Sequence, residues 1–166
     1  QPQLPSCHKD GTDMKAKLEQ LNFDVLYYTN TTRKTILEAI SEFIKLADCY
    51  SVLLVYYTGH GVQIDGENYF VPIDCIYHPV KSVFIASSLV GVNTITQYMN
   101  EHEEKTNILI LDACRSSLSF AKEMGNIGLA EISAGNGTII AFATSPNTSA
   151  FAPQSPDENG YYTKRL

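Results

Sequence analysis

The amino-acid sequence predicts one α/β domain whose central, mainly parallel β-sheet is flanked by helices. Three observations support this fold class. The chain has 166 residues, enough for one domain with a substantial core. Helical and strand patterns alternate along it, as in parallel sheets built from crossover connections. The strongest strand pattern, at residues 51–58, is apolar almost throughout, which is typical of a strand covered on both faces.

The first third of the chain is predicted to contain two helices with an extended segment between them. A short helical stretch opens near Asp10 and Asp13, and a β-rich run follows at residues 24–29. The Asn-Thr-Thr sequence at residues 30–32 offers N-cap chemistry for a longer helix. That helix carries a single amphipathic stripe, which we interpret as core packing. The stripe consists of Ile36, Leu37, Ile40, Phe43, Ile44 and Ala47.

The rest of the chain is predicted to contain a hairpin, a third helix and two further strands. The Asp-Gly pair at residues 65–66 lies in a β-rich stretch and indicates a hairpin turn after the strongest strand. A helix is predicted over residues 92–104, and apolar strands over residues 107–111 and 138–144. Residues 116–136 form a connection rich in Gly, Ser and Ala with weak periodicity.

Both ends of the sequence suggest an incomplete unit. We expect residues 1–166 to form a single domain that lacks its first strand and its C-terminal helix and strand. The chain starts in a loop-like stretch with no strand before the first helix, although an α/β domain usually opens on a central strand. It stops at residues 164–166, where a further helix is beginning.

Composition and charge argue against several function classes. The net charge of −6 and the absence of a basic patch argue against a nucleic-acid partner and suit a cationic peptide ligand. No apolar run approaches the ~20 residues that span a bilayer, so we predict no membrane segment. The four cysteines, Cys7, Cys49, Cys75 and Cys114, contain no CxxC pair and favour a reduced, cytoplasmic setting.

Two residues with catalytic chemistry follow the strongest strand patterns. His60 comes directly after the strand at residues 51–58, and Cys114 follows the strand at residues 107–111. In open α/β sheets, functional groups gather beyond the carboxyl ends of the strands. A histidine placed there can accept the thiol proton, and only the thiolate is a competent nucleophile. These residues alone leave a catalytic pair and inert packing as open alternatives.

The glycines on either side of His60 are suited to the same chemistry. Gly59 permits a sharp exit from the strand, and Gly61 leaves its backbone N–H open to a bound group. Together with the N–H of Cys114, that donor is predicted to form an oxyanion hole for a tetrahedral intermediate.

Longer motifs around both residues resemble those of paracaspases, which are relatives of caspases and metacaspases. Residues 54–61 and 65–74 resemble the histidine motif, residues 109–115 the cysteine motif, and residues 140–146 the next core strand. Metacaspases usually have Ser before the cysteine and His after it, whereas this chain has Ala113 and Arg115. The resemblance implies a caspase-like sandwich and a cysteine endopeptidase that cleaves after Arg or Lys, with Cys114 and His60 as its catalytic pair.

The resemblance also implies an acidic pocket for the basic substrate side chain. The family places one acid two residues before the cysteine and another at the start of the first helix, which Asp112 and Asp10 match. A guanidinium held by two carboxylates gains charge-assisted hydrogen bonds. The alternatives are a helix N-cap role for Asp10 and a pairing of Asp112 with a structural arginine.

Processing, cofactors and partners are predicted on the same basis. Self-cleavage after Lys122 would fit the habit of caspase relatives of being cut between the cysteine strand and the next one. We expect no metal and no calcium requirement, because the acidic insert of metacaspases is absent and nothing fixes Cys7, His8, Cys75 and His78 together as a zinc site. The expected partners are proteins or peptides with a basic residue at the cleavage site, and a second copy of the chain in a homodimer.

Two other classes of function compete with the peptidase. A catalytically idle scaffold or interaction module would keep the fold and act through binding, but it has no physical need of His60, Gly61, Asp112 and Cys114 together. An acyl-transferring or redox enzyme is a weaker rival, since a redox role would require a resolving cysteine near Cys114.

Overall fold

The computed structural model describes residues 4–78, 83–84, 86–114, 129–144, 153 and 155–166. Within these ranges the helices are α1 (Pro5–Gln20), α2 (Arg33–Ala47) and α3 (Asn93–Glu101). The strands are β1 (Val52–Ile64), β2 (Glu67–Phe70), β3 (Tyr77–His78), β4 (Val83–Phe84), β5 (Val90–Gly91), β6 (Thr106–Cys114) and β7 (Thr138–Phe142). No helix in the described part of the chain is long and apolar enough to cross a membrane.

The five strands of the main sheet lie in the order β5-β2-β1-β6-β7. The three longest, β1, β6 and β7, are parallel to one another, whereas β2 and β5 extend the sheet with antiparallel pairings. The predicted hairpin is confirmed: β1 turns into β2 through Asp65 (φ 51°) and Gly66 (φ 85°). Two consecutive residues with positive φ form the tight turn that matches the twist of a hairpin. The predicted α/β fold with a mainly parallel core and a hairpin after the histidine motif is therefore confirmed.

The pleat of the sheet divides the domain into two unlike faces. Leu109 and Leu111 of β6 belong to an apolar core that also includes residues of α3, and four residues of the α2 stripe pack against it. The core packing predicted for that stripe is confirmed, and its N-cap is Thr32, whose side chain accepts the backbone N–H of Thr35. On the other face, α1 packs against β1. Successive residues of a strand alternate between faces, so Asp112 lies on the α1 side.

Some boundaries differ from the predicted ones. Helix α1 begins at Pro5 rather than near Asp10. A proline fits the first turn of a helix, since an N–H there would have no partner within the helix. Strand β1 continues through His60 to Ile64, so that the histidine lies within the strand rather than beyond it. The β-rich run at residues 24–29 forms no strand: none of its residues belongs to a ladder in the described part of the sheet. A strand pattern becomes a strand only where a neighbour pairs with it.

Two glycines with positive φ provide a matched test of close packing. A Cβ at Gly137 (φ 71°) would lie 2.7 Å from the carbonyl oxygens of both Glu103 and Lys105, whereas a Cβ at Gly66 would have no neighbour within 4 Å. We expect Gly66→Ala to cost only the backbone penalty of about 1–2 kcal/mol, and Gly137→Ala to cost clearly more. Urea unfolding of both variants measures this difference. Equal losses would contradict the packing at Gly137.

Candidate active site

The sheet register brings the two predicted catalytic residues together. In the parallel pairing of β1 with β6, His60 is the partner of Cys114. Neighbouring strands are about 4.8 Å apart, and residues in register share one face of the sheet. The structure therefore brings His60 and Cys114 side by side at the carboxyl end of β6, on the face that also carries Asp112.

Two hydrogen bonds anchor the backbone carbonyl of His60. Its carbonyl oxygen accepts the backbone N–H of Val71 at 3.0 Å and the hydroxyl of Tyr57 at 2.7 Å. Tyr57 reaches it by passing over Gly59, where a Cβ would lie 2.7 Å from the tyrosine oxygen. The histidine side chain is only 6% exposed. Gly59 thus gives the space for a tyrosine that fixes the histidine backbone, in addition to its predicted role at the strand exit.

Gly61 is required by close packing. A Cβ at this position would lie 2.9 Å from the Cβ of Ala113 and 3.2 Å from a methyl carbon of Leu129. Ala113 precedes Cys114, and Leu129 is the first described residue after Cys114. Any side chain at residue 61 would therefore push against both ends of the segment that carries Cys114.

A buried asparagine clamps the chain near the start of the next described segment, residues 129–144. The side-chain amide of Asn68 donates to the carbonyl of Ala130 at 2.9 Å, and its oxygen accepts the N–H of Ala130 at 2.7 Å. Asn68 is 4% exposed and lies on β2, next to the histidine strand. Lys122, the predicted self-cleavage position, lies between Cys114 and this clamp and outside the described residues.

The structure also brings the two predicted pocket acids together, at the turn of residues 160–163. Asp10 is 1% exposed and Asp112 is 4% exposed. A Cβ at Gly160 would lie 3.1 Å from Oδ2 of Asp10 and 3.3 Å from Oδ2 of Asp112, so the two oxygens are no farther apart than the sum of these distances. Although 102 positions separate the two acids in the sequence, they line one small space.

Both carboxylates receive hydrogen bonds from that turn. The backbone N–H of Gly160 donates to Oδ1 of Asp10 at 2.8 Å, and the hydroxyl of Thr163 donates to Oδ2 of Asp112 at 2.7 Å. Asp10 lies in the second turn of α1, whose N-cap is Leu4, so the alternative of a helix N-cap role is wrong. In the described part of the chain, Asp112 is held by Thr163 rather than by an arginine.

Burial raises the pKa of both acids. The pKa of Asp10 rises to about 6, chiefly because the carboxyl group is desolvated; the nearby Asp112 adds to the rise and the Gly160 N–H opposes it. The pKa of Asp112 is also raised by desolvation, against the hydrogen bonds from Thr163. Two buried carboxylates this close together are electrostatically costly, and a positive group between them would relieve the cost.

A second polar group of α1, the thiol of Cys7, borders the acid pair. The thiol of Cys7 accepts a hydrogen bond from the hydroxyl of Thr58 at 3.2 Å. Burial raises the pKa of Cys7 to about 11, and the two acids contribute further. This thiol is therefore neutral at physiological pH and does not compete as a nucleophile. Within the described ranges, no group of three or more His, Cys, Asp or Glu residues is placed to hold a metal ion.

Comparison with known proteins settles the family. A family model described as the caspase domain matches residues 1–166. The chain belongs to the caspase domain family. It is also 28% identical over 166 residues to the mucosa-associated lymphoid tissue lymphoma translocation protein 1 of human and to its mouse homolog. These matches cover 99% of this chain but only 19% of the relatives, so the chain spans about a fifth of the length of the relatives it matches.

The family match confirms the caspase-like resemblance and supports a cysteine peptidase over an idle scaffold. The residues that sequence reasoning missed are Gly160, Thr163 and Tyr56, which surround the acid pair. The only signal for Gly160 and Thr163 was the Gly-Tyr-Tyr-Thr sequence after a stretch rich in Pro, Ser and Asn, whereas Tyr56 lies in the apolar strand pattern of residues 51–58. Nothing in that pattern connects it with acids that lie 150 and 51 positions earlier.

The raised pKa of Asp10 has a consequence for stability. The unfolded carboxyl titrates near pH 4, so the folded state binds the proton more tightly between about pH 4 and pH 6. This contribution to stability is fully present below the unfolded pKa and is lost as the pH rises through the folded pKa. We therefore expect the urea midpoint of the wild type to fall over this range more steeply than that of Asp10→Asn.

The matched control is Asp13→Asn on the same helix. Asp13 is exposed and pairs with Lys9, and its pKa is lowered by the hydrogen bonds from Lys9 and Asn159. This control should flatten the fall only slightly, because desolvation is the main cause of the raised pKa of Asp10 and the charge of Asp13 is a minor one. A slope between pH 4 and pH 6 that is the same in Asp10→Asn as in the wild type would contradict the environment of Asp10.

Proposed function

We propose that this chain is a cysteine endopeptidase that cleaves peptide bonds after arginine or lysine. The observation that carries the proposal is the placement of two buried acids beside the paired His60 and Cys114. Asp112 precedes Cys114 by two residues on β6, so the two positions share a face and lie about 7 Å apart along the strand. A substrate carbonyl at Cys114 would allow its basic side chain to extend towards Asp112 and Asp10.

The chemistry follows from these positions. His60 takes the proton of the Cys114 thiol, and the thiolate attacks the carbonyl carbon of the scissile bond. The new C–S bond gives a tetrahedral oxyanion, for which the N–H groups of Gly61 and Cys114 are the proposed donors. When the C–N bond breaks, His60 returns the proton to the leaving amine. Water, deprotonated by His60, then hydrolyses the thioester and restores the thiol.

The acid pair explains why a basic side chain would be selected. A cation between Asp10 and Asp112 gains charge-assisted hydrogen bonds and relieves the repulsion between the two carboxylates. An acidic side chain would add a third negative group to a desolvated space, and an apolar one would leave both acids uncompensated. The overall negative charge of the chain also favours the approach of cationic peptides.

Metal independence, a cytoplasmic setting and a homodimer are further parts of the proposal. The reaction above uses only a thiol, an imidazole and backbone donors, so we expect a chelator such as EGTA to leave turnover unchanged. Turnover that EGTA abolished and added Ca²⁺ restored would contradict this part of the proposal while leaving the catalytic pair intact.

The substrate preference is tested by cleavage of a peptide library varied at the residue before the scissile bond. We expect cleavage after Arg and Lys only, and no cleavage by Cys114→Ala. Asp112→Asn should lower kcat/KM for an arginine peptide by about 100-fold or more, because it removes one charged partner of a buried cation. Asp13→Asn, whose carboxylate is exposed, is the matched control and should cleave like the wild type.

Different failures of this experiment have different meanings. Residual cleavage by Cys114→Ala would remove the nucleophile from the proposal. An unchanged kcat/KM in Asp112→Asn would leave a peptidase but refute the acidic pocket.

Self-cleavage after Lys122 is a separate expectation. Incubation of the wild type should give two fragments whose masses fit a cut after residue 122, and Cys114→Ala should stay intact. Lys122→Gln isolates the position, because it removes the basic side chain but leaves the catalytic residues in place. Intact mass spectrometry measures all three proteins. A wild-type chain that stays uncut, or a Lys122→Gln chain cut at the same place, would refute this expectation.

A further inference from the structure

Two hydrogen-bonded hydroxyl groups connect the central sheet to the acid pair. The hydroxyl of Tyr56 lies 2.6 Å from that of Thr163, and the hydroxyl of Thr163 lies 2.7 Å from Oδ2 of Asp112. Tyr56 is on β1, four residues before His60 and on the same face of the sheet. Thr163 begins a short 3-10 turn, Thr163–Arg165, and is 7% exposed. These two hydroxyl groups therefore join the strand of the catalytic histidine to one acid of the pocket.

The number of protons on each group decides which one donates in these two hydrogen bonds. A threonine hydroxyl has one proton, and an ionised carboxylate can only accept. Thr163 therefore donates to Asp112, and Tyr56 donates to Thr163. Burial raises the pKa of Tyr56, so its hydroxyl keeps the proton that this arrangement needs.

Asp112 needs such donors because its surroundings oppose its charge. It is 4% exposed, it shares its space with Asp10, and desolvation raises its pKa. The Thr163 hydroxyl and the Thr163 backbone N–H are the hydrogen bonds that act in the opposite direction. A hydrogen bond to an ionised group is about twice as strong as one between neutral groups, and it favours the charged form.

We propose that Thr163 is a positioning residue of the substrate pocket: its hydroxyl, oriented by Tyr56, holds the Asp112 carboxylate in place and ionised to receive the basic side chain of the substrate. This inference rests on the proposed function. It concerns the same pocket but adds two residues that touch neither the scissile bond nor the substrate. A carboxylate has about four acceptor positions, so the donors from Thr163 leave positions free for a guanidinium or ammonium group.

The arrangement predicts a pH-dependent effect rather than a general loss of activity. Without the threonine hydroxyl, Asp112 should take up a proton at a higher pH than in the wild type, because its charged form loses a donor. Asp10 would remain as a partner of the substrate, with the Gly160 N–H still bound to it. The other titratable groups around the acids are Lys9 and Asp13 of α1, the neutral thiol of Cys7, Tyr56 and Tyr162. The substitution removes the hydrogen bond between Tyr56 and Thr163, but Tyr56 stays protonated because burial raises its pKa.

The decisive variant is Thr163→Val, which keeps the shape of the side chain and removes the hydroxyl. We expect KM for an arginine peptide to rise about 10–100-fold at pH 6, with a smaller rise at pH 8 and kcat within about twofold. In a plot of kcat/KM against pH, the acidic limb should move to higher pH. Thr163→Ser should restore the wild-type profile, and Tyr56→Phe should move the limb in the same direction by a smaller amount.

Two further measurements separate a positioning role from a general structural one. The rate of alkylation of Cys114 by iodoacetamide does not depend on the pocket, so it should be unchanged in Thr163→Val; a Cys49→Ser background removes the exposed thiol. Carboxyl NMR titration of Asp112 in Cys114→Ala should give a higher pKa after Thr163→Val or Tyr56→Phe. If Thr163→Val does not fold, the comparison of Tyr56→Phe with Thr163→Ser gives the same test.

The outcomes distinguish this inference from the proposed function. A Thr163→Val enzyme with the wild-type profile and the wild-type Asp112 titration would refute the inference, as would a Thr163→Ser enzyme that behaves like Thr163→Val. An Asp112→Asn enzyme that cleaves arginine peptides like the wild type would refute the pocket itself.

Discussion

The parallel register between β1 and β6 is the constraint on which the candidate site depends. It pairs His60 with Cys114 and, two residues earlier, Thr58 with Asp112. One pair of register partners contains the proposed nucleophile and its proposed base, and the other contains Asp112, an acid of the proposed substrate pocket. A shift of one residue would move one strand's functional groups to the apolar face that packs on α2 and α3. The buried leucines of β6 oppose such a shift, so core packing fixes the geometry of the site.

The second constraint is electrostatic. Asp10 and Asp112 are buried close together, although burial of a carboxylate is costly and burial of two adjacent carboxylates is more so. The structure offsets part of this cost with donors from residues 160–163, and in the proposed function a substrate cation would offset more of it. A domain built for stability alone would replace such a pair with apolar side chains. In the proposed function, the retained cost is what would make the space selective for a basic group.

The sequence predicted the parts of the site that lie on long strands. Apolar runs located β1 and β6, and the motifs after them supplied His60, Gly61, Asp112 and Cys114. Sequence patterns failed where the structure depends on distant contacts. Residues 24–29 have strand composition but no partner in the described sheet, and Thr163 reaches Asp112 through a contact between segments 51 positions apart. No local periodicity encodes such contacts, whereas the hairpin at Asp65 and Gly66 is local and was predicted correctly.

The most direct test of the account is covalent labelling of Cys114 by electrophilic peptides that differ only in the residue before the reactive group. We expect rapid labelling by the arginine peptide and slow labelling by its norleucine counterpart, with mass spectrometry assigning the adduct to Cys114. His60→Ala should slow labelling by both peptides, and Asp112→Asn should remove the advantage of arginine. Equal rates for arginine and norleucine in the wild type, or an adduct at Cys7 or Cys49 instead, would contradict the account.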